Sequence, residues 1–252
     1  MLFLYHQVYG VDHSPWVQAV LLGLEVKGLS YSLFGAPGPE TIRESSKQGI
    51  KSVITMPALW YNGACFFDSY IILRMLDDKH PEPPLFPEGG DDAEEDWAMI
   101  QQLFMYAPAF RLRGSKLLRF WYEWSVMEDQ FEQPEPLAAA VSAAARPFVT
   151  LWMFSLINFS GMTKDWDQEI PKIFVPALQY FERRLAESSG PYICGNSPSY
   201  VDLGLMGHFQ CMLGNLSDEV IGHIDENSPG LWIWLKVCVA QPQQLGCLSS
   251  QF

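Results

Sequence analysis

Met56-Pro57-Ala58-Leu59-Trp60-Tyr61-Asn62-Gly63-Ala64-Cys65-Phe66-Phe67-Asp68-Ser69 is the stretch that decides the fold. Two short apolar runs, Ala58–Tyr61 and Ala64–Phe67, flank Asn62-Gly63. Asn-Gly between such runs is the strongest short-range signal for a β-hairpin. Pro57 stands at the start of the first strand, where a proline either lies on an edge or turns the chain through a cis bond. With a cis bond, Met56 offers its backbone N–H and C=O to an extended ligand, as strand addition does. Asp68-Ser69 then opens a helix that carries Ile71, Ile72, Met75 and Leu76 and stops at His80-Pro81. Asp68 at that position either caps the helix or faces a bound ammonium, beside amides that favour an anion.

Upstream, Leu2–His6 is short, apolar and aromatic, and reads as a strand. Gln7–Ser14 reads as a loop. Pro15 suits a first helical turn, where its missing N–H costs nothing. Val17, Val20, Leu21 and Leu24 repeat at helical spacing, and Lys27-Gly28 supplies a stop. Leu29–Phe34 resumes as a strand, so the segment reads β-α-β, with the two strands expected to be parallel. Ser14 stands before this helix as Asp68 stands before the other: a cap, or a hydroxyl aimed at a ligand. Gly35–Ser52 is polar and reads as an irregular second helix.

Downstream, Pro81, Pro83, Pro84 and Pro87 with Gly89-Gly90 mark a linker. The acidic run Glu88–Asp96 suits a helix start. Helical patterns follow at about 91–107, 111–130, 136–158, 168–188, 199–213 and 230–239. Ser199 and Asp202 form the Ser-x-x-acid arrangement of a capping box. The expected division is an α/β domain over 1–80, a linker over 81–90 and an all-α domain over 91–252.

Composition narrows the function. The 252 residues carry a net charge of −13, against a nucleic-acid footprint or an anionic membrane surface. Aromatic residues are 14% of the chain, which fits an apolar pocket. Five cysteines, with no pair at CxxC spacing, argue against a disulfide framework or a thiolate zinc site and point to a reducing compartment. No His spacing suggests a metal. The longest uncharged run is the 17 residues between Arg146 and Lys164, interrupted by Pro147, Ser155, Asn158 and Ser160. That is short and polar for a membrane span. The N-terminus has no basic region of a signal peptide. The expected location is cytoplasmic.

The order and spacing of these pieces resemble the cytosolic glutathione transferase family over nearly the whole chain. The residues that carry the resemblance are Ser14-Pro15-Trp16-Val17, Met56-Pro57-Ala58-Leu59, Asp68-Ser69, Tyr192-Ile193-Cys194-Gly195 and Ser197 to Asp202. The resemblance implies a thioredoxin-like N-terminal domain joined to an all-α C-terminal domain, usually as a homodimer, with glutathione as co-substrate and no metal. It gives Ser14 the role of the hydroxyl that activates the thiol, as in serine-type classes. It makes Met56-Pro57, with a cis bond, the partner of the cysteinyl part of glutathione. Asp68 and Ser69 become the pair that holds the γ-glutamyl end. A serine at position 14 disfavours thiol–disulfide exchange, because it cannot form the mixed disulfide.

Several positions depart from the family pattern. The long first loop makes Tyr5, Tyr9 and His13 rival donors to the thiol. The basic partner of the glycyl carboxylate stays open among Arg43, Lys47 and Lys51. The stretch Arg111–Trp124, with Arg111, Arg113, Lys116, Arg119, Trp121, Tyr122 and Trp124, is private to this chain. Tyr9, Trp16, Tyr106, Phe110 and Trp121 are candidates for the electrophile pocket. The leading expectation is a glutathione transferase acting on an apolar electrophile, with a role in detoxification. The alternatives are a non-catalytic binding or assembly protein of the same fold, and a glutathione-dependent isomerase, dehalogenase or ether-cleaving enzyme.

Overall fold

The computed structural model describes residues 6–10, 14–35, 37–50, 56–87, 93–105, 170–212 and 218–240. In chain order they form β1 (His6–Tyr9), α1 (Pro15–Val26), β2 (Tyr31–Phe34), α2 (Pro39–Lys47), β3 (Ala58–Tyr61), β4 (Ala64–Phe67) and α3 (Ser69–Lys79). Then come α4 (Ala93–Met105), a π-helical turn (Ile170–Phe174) running into α5 (Val175–Glu187), α6 (Tyr200–Met212), α7 (Asp218–Asn227) and α8 (Pro229–Ala240). The sheet order is β2-β1-β3-β4. β1 is parallel to β2 and antiparallel to β3, which is antiparallel to β4. This is the expected thioredoxin-like unit, followed by the all-α unit.

The hairpin falls where Asn62-Gly63 puts it. Asn62 at φ 50° and Gly63 at φ 82° make the turn, because a two-residue connection of this hand needs positive φ at both residues. The first strand needs correcting: it runs through Gln7 and Val8 to Tyr9, residues expected in a loop. The reason is alternation. Gln7 is exposed and Val8 is fully buried, so a period of two carries the strand past the apolar run. Residues Leu2–Tyr5 lie outside the described residues. The second helix is regular, not irregular. Its buried side chains are Thr41 and Ser45, one helical turn apart, so it has a buried face without an apolar stripe. Thr41 Oγ1 accepts a hydrogen bond from Trp60 Nε1 at 2.9 Å, which fastens α2 to the sheet.

Helix α1 is apolar nearly all round because it is covered on two sides. On one side Val17, Val20, Leu21 and Leu24 pack on Val8 and Leu59 of the sheet and on Ile72, Met75 and Leu76 of α3. On the other side Ala19 and Leu22 join a core with Trp97, Ile100, Tyr200, Leu203 and Phe209 of the helical unit. Ala58, Cys65 and Phe67 face away from α1, with Tyr9, Ile50 and Trp60 packed on them.

The start of the linker is tied to the first unit by a buried ammonium. Lys27, with its side chain 0% exposed, pairs with Asp77 at 2.6 Å and donates to the carbonyls of His80 and Pro83. The Asp77 carboxylate also accepts from the amides of Leu85 and Phe86 at 2.7 and 3.0 Å.

In the helical unit, buried Asp96 of α4 accepts from the Tyr180 and Tyr200 hydroxyls and pairs with Arg184 at 2.7 Å. One carboxylate thus joins α4, α5 and α6. Of the expected helices, 111–130 and 136–158 lie outside the described residues. The helix α7 was not expected; Ile224 of Asp218–Asn227 is buried.

Candidate functional site

The register of the sheet brings the sequence-derived residues to one end of it. Tyr9 pairs with Ala58, and Ala58 pairs with Phe67. The C-terminal end of β1, the start of β3 and the C-terminal end of β4 are therefore neighbours. Beyond them come Gly10 and then Ser14, Met56-Pro57, and Asp68-Ser69.

Ser14 is the N-cap residue of α1, with extended backbone at φ −81°, ψ 121°. Its carbonyl accepts from the Gln18 amide at 2.9 Å. Its hydroxyl makes no capping hydrogen bond. Pro15 at the first helical position removes one amide from the turn. The hydroxyl is half-exposed at the positive end of the helix.

The Met56–Pro57 bond is cis, as the family resemblance implies. A second cis bond, Glu82–Pro83, gave no sign in the sequence. Asp68 does cap α3: its Oδ1 accepts from the amides of Tyr70 and Ile71 at 2.9 and 3.2 Å. Its backbone lies at φ 73°, ψ 126°, a region that few residues other than glycine occupy and that collects at functional sites. Asp68 is exposed and Ser69, the first helical residue, is buried.

The rival donors separate. Tyr9 points to the face of the sheet away from α1. Its ring stacks on Phe34 with centroids 5.1 Å apart, and its hydroxyl donates to Gln7 Oε1 at 3.3 Å. Burial, with the charges of Cys65 and Glu40, raises its phenol above the ordinary value, which weakens it as a donor to a thiolate. Trp16 is half-buried between the two units, 5.5 Å from Trp97 and edge-on to His208 at 4.5 Å. Arg43 and Lys47 are exposed on α2, where Lys47 pairs with Glu44 at 2.8 Å. Tyr5, His13, Lys51, Tyr106, Phe110, Trp121 and the stretch 111–124 lie outside the described residues.

Among the described residues no group of three or more His, Cys, Asp or Glu is placed to hold a metal. No described helix is long and apolar enough to cross a membrane. Sequence reading did not find Gly207 and His208, which lie against the first turn of α1. Only the contact between units reveals them.

Comparison with known proteins bears on the family and the fold. Residues 8–84 match the family model for the glutathione S-transferase N-terminal domain, and residues 161–234 match that for the C-terminal domain. Glutathione S-transferase Z2 of Arabidopsis thaliana is 33% identical over 84 residues, 32% of this chain, and the match spans 37% of that protein's length. A Tau class glutathione S-transferase from mango, Mangifera indica, shares the fold with a TM-score of 0.58 at 15% identity, over 98% of this chain and 94% of that one. Glutathione transferase Omega 3C of Trametes versicolor does so with a TM-score of 0.56 at 18% identity, over 98% and 90%. A rice transferase solved in complex with glutathione gives 0.54 at 17%, over 97% and 92%. Two family models met in series, over residues 8–84 and 161–234, make this chain a member of the cytosolic glutathione transferase family.

Proposed function

We propose that the chain is a glutathione transferase in which Ser14 activates the glutathione thiol for attack on an apolar electrophile. The observation that carries this reading is the shared sheet end. One strand register gathers an uncapped serine hydroxyl, a cis-proline backbone and an acidic helix start. In this reading Met56 pairs with the cysteinyl backbone. The Ser69 hydroxyl and amide take the γ-glutamyl carboxylate, and Asp68 Oδ2 takes its ammonium. Trp16 borders the electrophile pocket. The protein acts in the cytoplasm as a homodimer, in detoxification.

The energetics suffice without a metal or a general base. A free thiol has a pKa of about 8.5. Lowering it by two units needs about 2.7 kcal/mol. A hydroxyl hydrogen bond to a thiolate supplies about 1.5–3 kcal/mol, and a helix N-terminus about 0.3–2 kcal/mol. Holding the electrophile beside the thiolate then makes the attack effectively unimolecular.

The test is calorimetric titration of the full chain with glutathione and with S-methylglutathione, alongside the pH profile of conjugation to an aryl halide. Ser14→Ala should move the profile alkaline by about one to two units and slow the reaction at neutral pH roughly ten- to a hundredfold. Glutathione affinity should change much less. Failure of the native chain to bind glutathione rejects the whole reading. A profile that moves for Tyr9→Phe and not for Ser14→Ala rejects the role of Ser14.

A further inference from the structure

Helix α6 carries two glycines three residues apart that do different work. A Cβ on Gly204 would sit 2.8 Å from Ile100 Cδ1 and 3.1 Å from Trp97 Cζ3, both side-chain atoms of α4. A Cβ on Gly207 would sit 2.6 Å from the Pro15 carbonyl oxygen and 2.9 Å from the Ala19 amide nitrogen, both backbone atoms of α1. Those are the two groups that an α-helix joins in its first turn. The next residue, His208, lays its ring edge-on to Trp16 at 4.5 Å, with Nδ1 2.7 Å from the Gly204 carbonyl. Full burial lowers this imidazole to about 4, so it is neutral at working pH.

We infer that Gly207 is a positioning residue for the thiol-activating hydroxyl: the close approach of α6 that it permits sets where Ser14 stands. The link is short and stiff. The Pro15 carbonyl touches the space Gly207 leaves empty, and the proline ring fixes φ at that residue. The helical bond to the Ala19 amide holds the rotation of this carbonyl as well, so its displacement passes to the Ser14–Pro15 peptide. The helical unit thereby takes part in activating the thiol as well as in forming the electrophile pocket. This inference rests on the reading of Ser14 given above.

The Gly207→Ala variant applies a defined push. Ordinary contact begins at 3.4 Å, so α1 must move off by the better part of an ångström, and no rotamer change relieves the clash. Gly204→Ala is the matched control: same helix, same added methyl, but facing the side chains of α4. Three readouts are taken on the full chain: glutathione affinity by calorimetry, the pH profile of aryl-halide conjugation, and melting temperature. Gly207→Ala should shift the profile alkaline by about one unit, a roughly tenfold loss at neutral pH, with glutathione affinity within about threefold because Met56, Asp68 and Ser69 are untouched. Gly204→Ala should lower the melting temperature and leave the profile in place. If Gly207→Ala does not fold, His208→Gln decides. It loosens the seat of Trp16 without a clash and should shift the profile in the same direction by a smaller amount.

An unmoved profile in Gly207→Ala, or in His208→Gln where that variant decides, overturns the inference. So does an equal shift in Gly204→Ala. Ser14→Ala run beside them separates the two ideas. If it shifts the profile and Gly207→Ala does not, positioning fails and activation stands. If Ser14→Ala leaves the profile unmoved, activation fails and positioning falls with it.

Discussion

Two helix starts in this molecule use an aspartate in opposite ways. At α3, Asp68 is exposed and spends one oxygen on two amides of its own helix. At α6, Asp202 is 0% exposed and spends both oxygens. Its Oδ1 accepts from the Ile193 amide at 2.9 Å, and its Oδ2 from the Ser199 amide at 2.8 Å and the Ser199 hydroxyl at 2.6 Å. This differs from the reciprocal box expected from the sequence: the serine hydroxyl turns to the carboxylate. A sealed carboxylate with every donor inside the chain holds the fold together. An open one with an oxygen in reserve, on a backbone at positive φ, leaves room for a ligand, as the proposed glutathione site requires.

The comparison can be broken most severely at Asp202. Asp202→Ala leaves two amides and a hydroxyl without their acceptor in a dry site, and should cost about 3–5 kcal/mol in urea unfolding. A loss below about 1 kcal/mol would mean that the site is not sealed.

The next largest effect is its pH dependence. Burial pushes the Asp202 carboxyl up from 3.8 to about 6, against hydrogen bonds from Ile193 and Ser199 that favour ionisation. Between those values the native state keeps a proton that the unfolded chain has released. The group's contribution is therefore complete below the unfolded value and is lost as pH rises through about 6. The loss amounts to about 3 kcal/mol at most. Asp202→Asn, which does not titrate, should flatten this part of the stability curve. A wild-type curve already flat there contradicts it.

At Asp68 the effects are smaller and divide between binding and stability. Asp68→Ala should weaken glutathione binding by about 1–3 kcal/mol and lower stability by about 1 kcal/mol through the lost cap. The smallest change is expected for the stability of Asp68→Asn, within about 0.5 kcal/mol, since asparagine caps as well as aspartate. Its glutathione affinity should nonetheless fall as it does for alanine. An asparagine variant that binds normally would show that the charge is not used.

What was legible in the sequence follows the range of each interaction. Asn62-Gly63, Pro15 and the Asp68 helix start are local chemistry, and their elements appear where expected. The register that gathers Ser14, Met56 and Asp68 follows from the hairpin plus the β-α-β unit. The regularity of helix α2 hid because its buried side chains are Thr41 and Ser45, and α7 hid because its few apolar residues lie among four acids in ten residues. Asp96 lies in an acidic run that reads as a solvated helix start, yet it is buried under two tyrosines and an arginine. No pattern within a run distinguishes the one acid that turns inward. The same holds for Gly207, whose meaning lies wholly in what stands opposite it.

The Lys27 ammonium gives the linker a mechanical meaning. A proline-rich stretch between two units ordinarily acts as a semi-rigid spacer. Here its first residues are bolted down, with His80 and Pro83 held through their carbonyls and Leu85 and Phe86 through their amides. Tension drawn through the chain between the two units would load a buried ion pair and four charge-assisted hydrogen bonds before it straightened any slack. Leu85 and Phe86 also meet the helical unit, where the Leu85 carbonyl accepts from the Tyr200 amide at 2.9 Å and the Phe86 ring stacks on Tyr200. The packing of α1 against α6 is thus protected from the pull of the very segment that connects the halves.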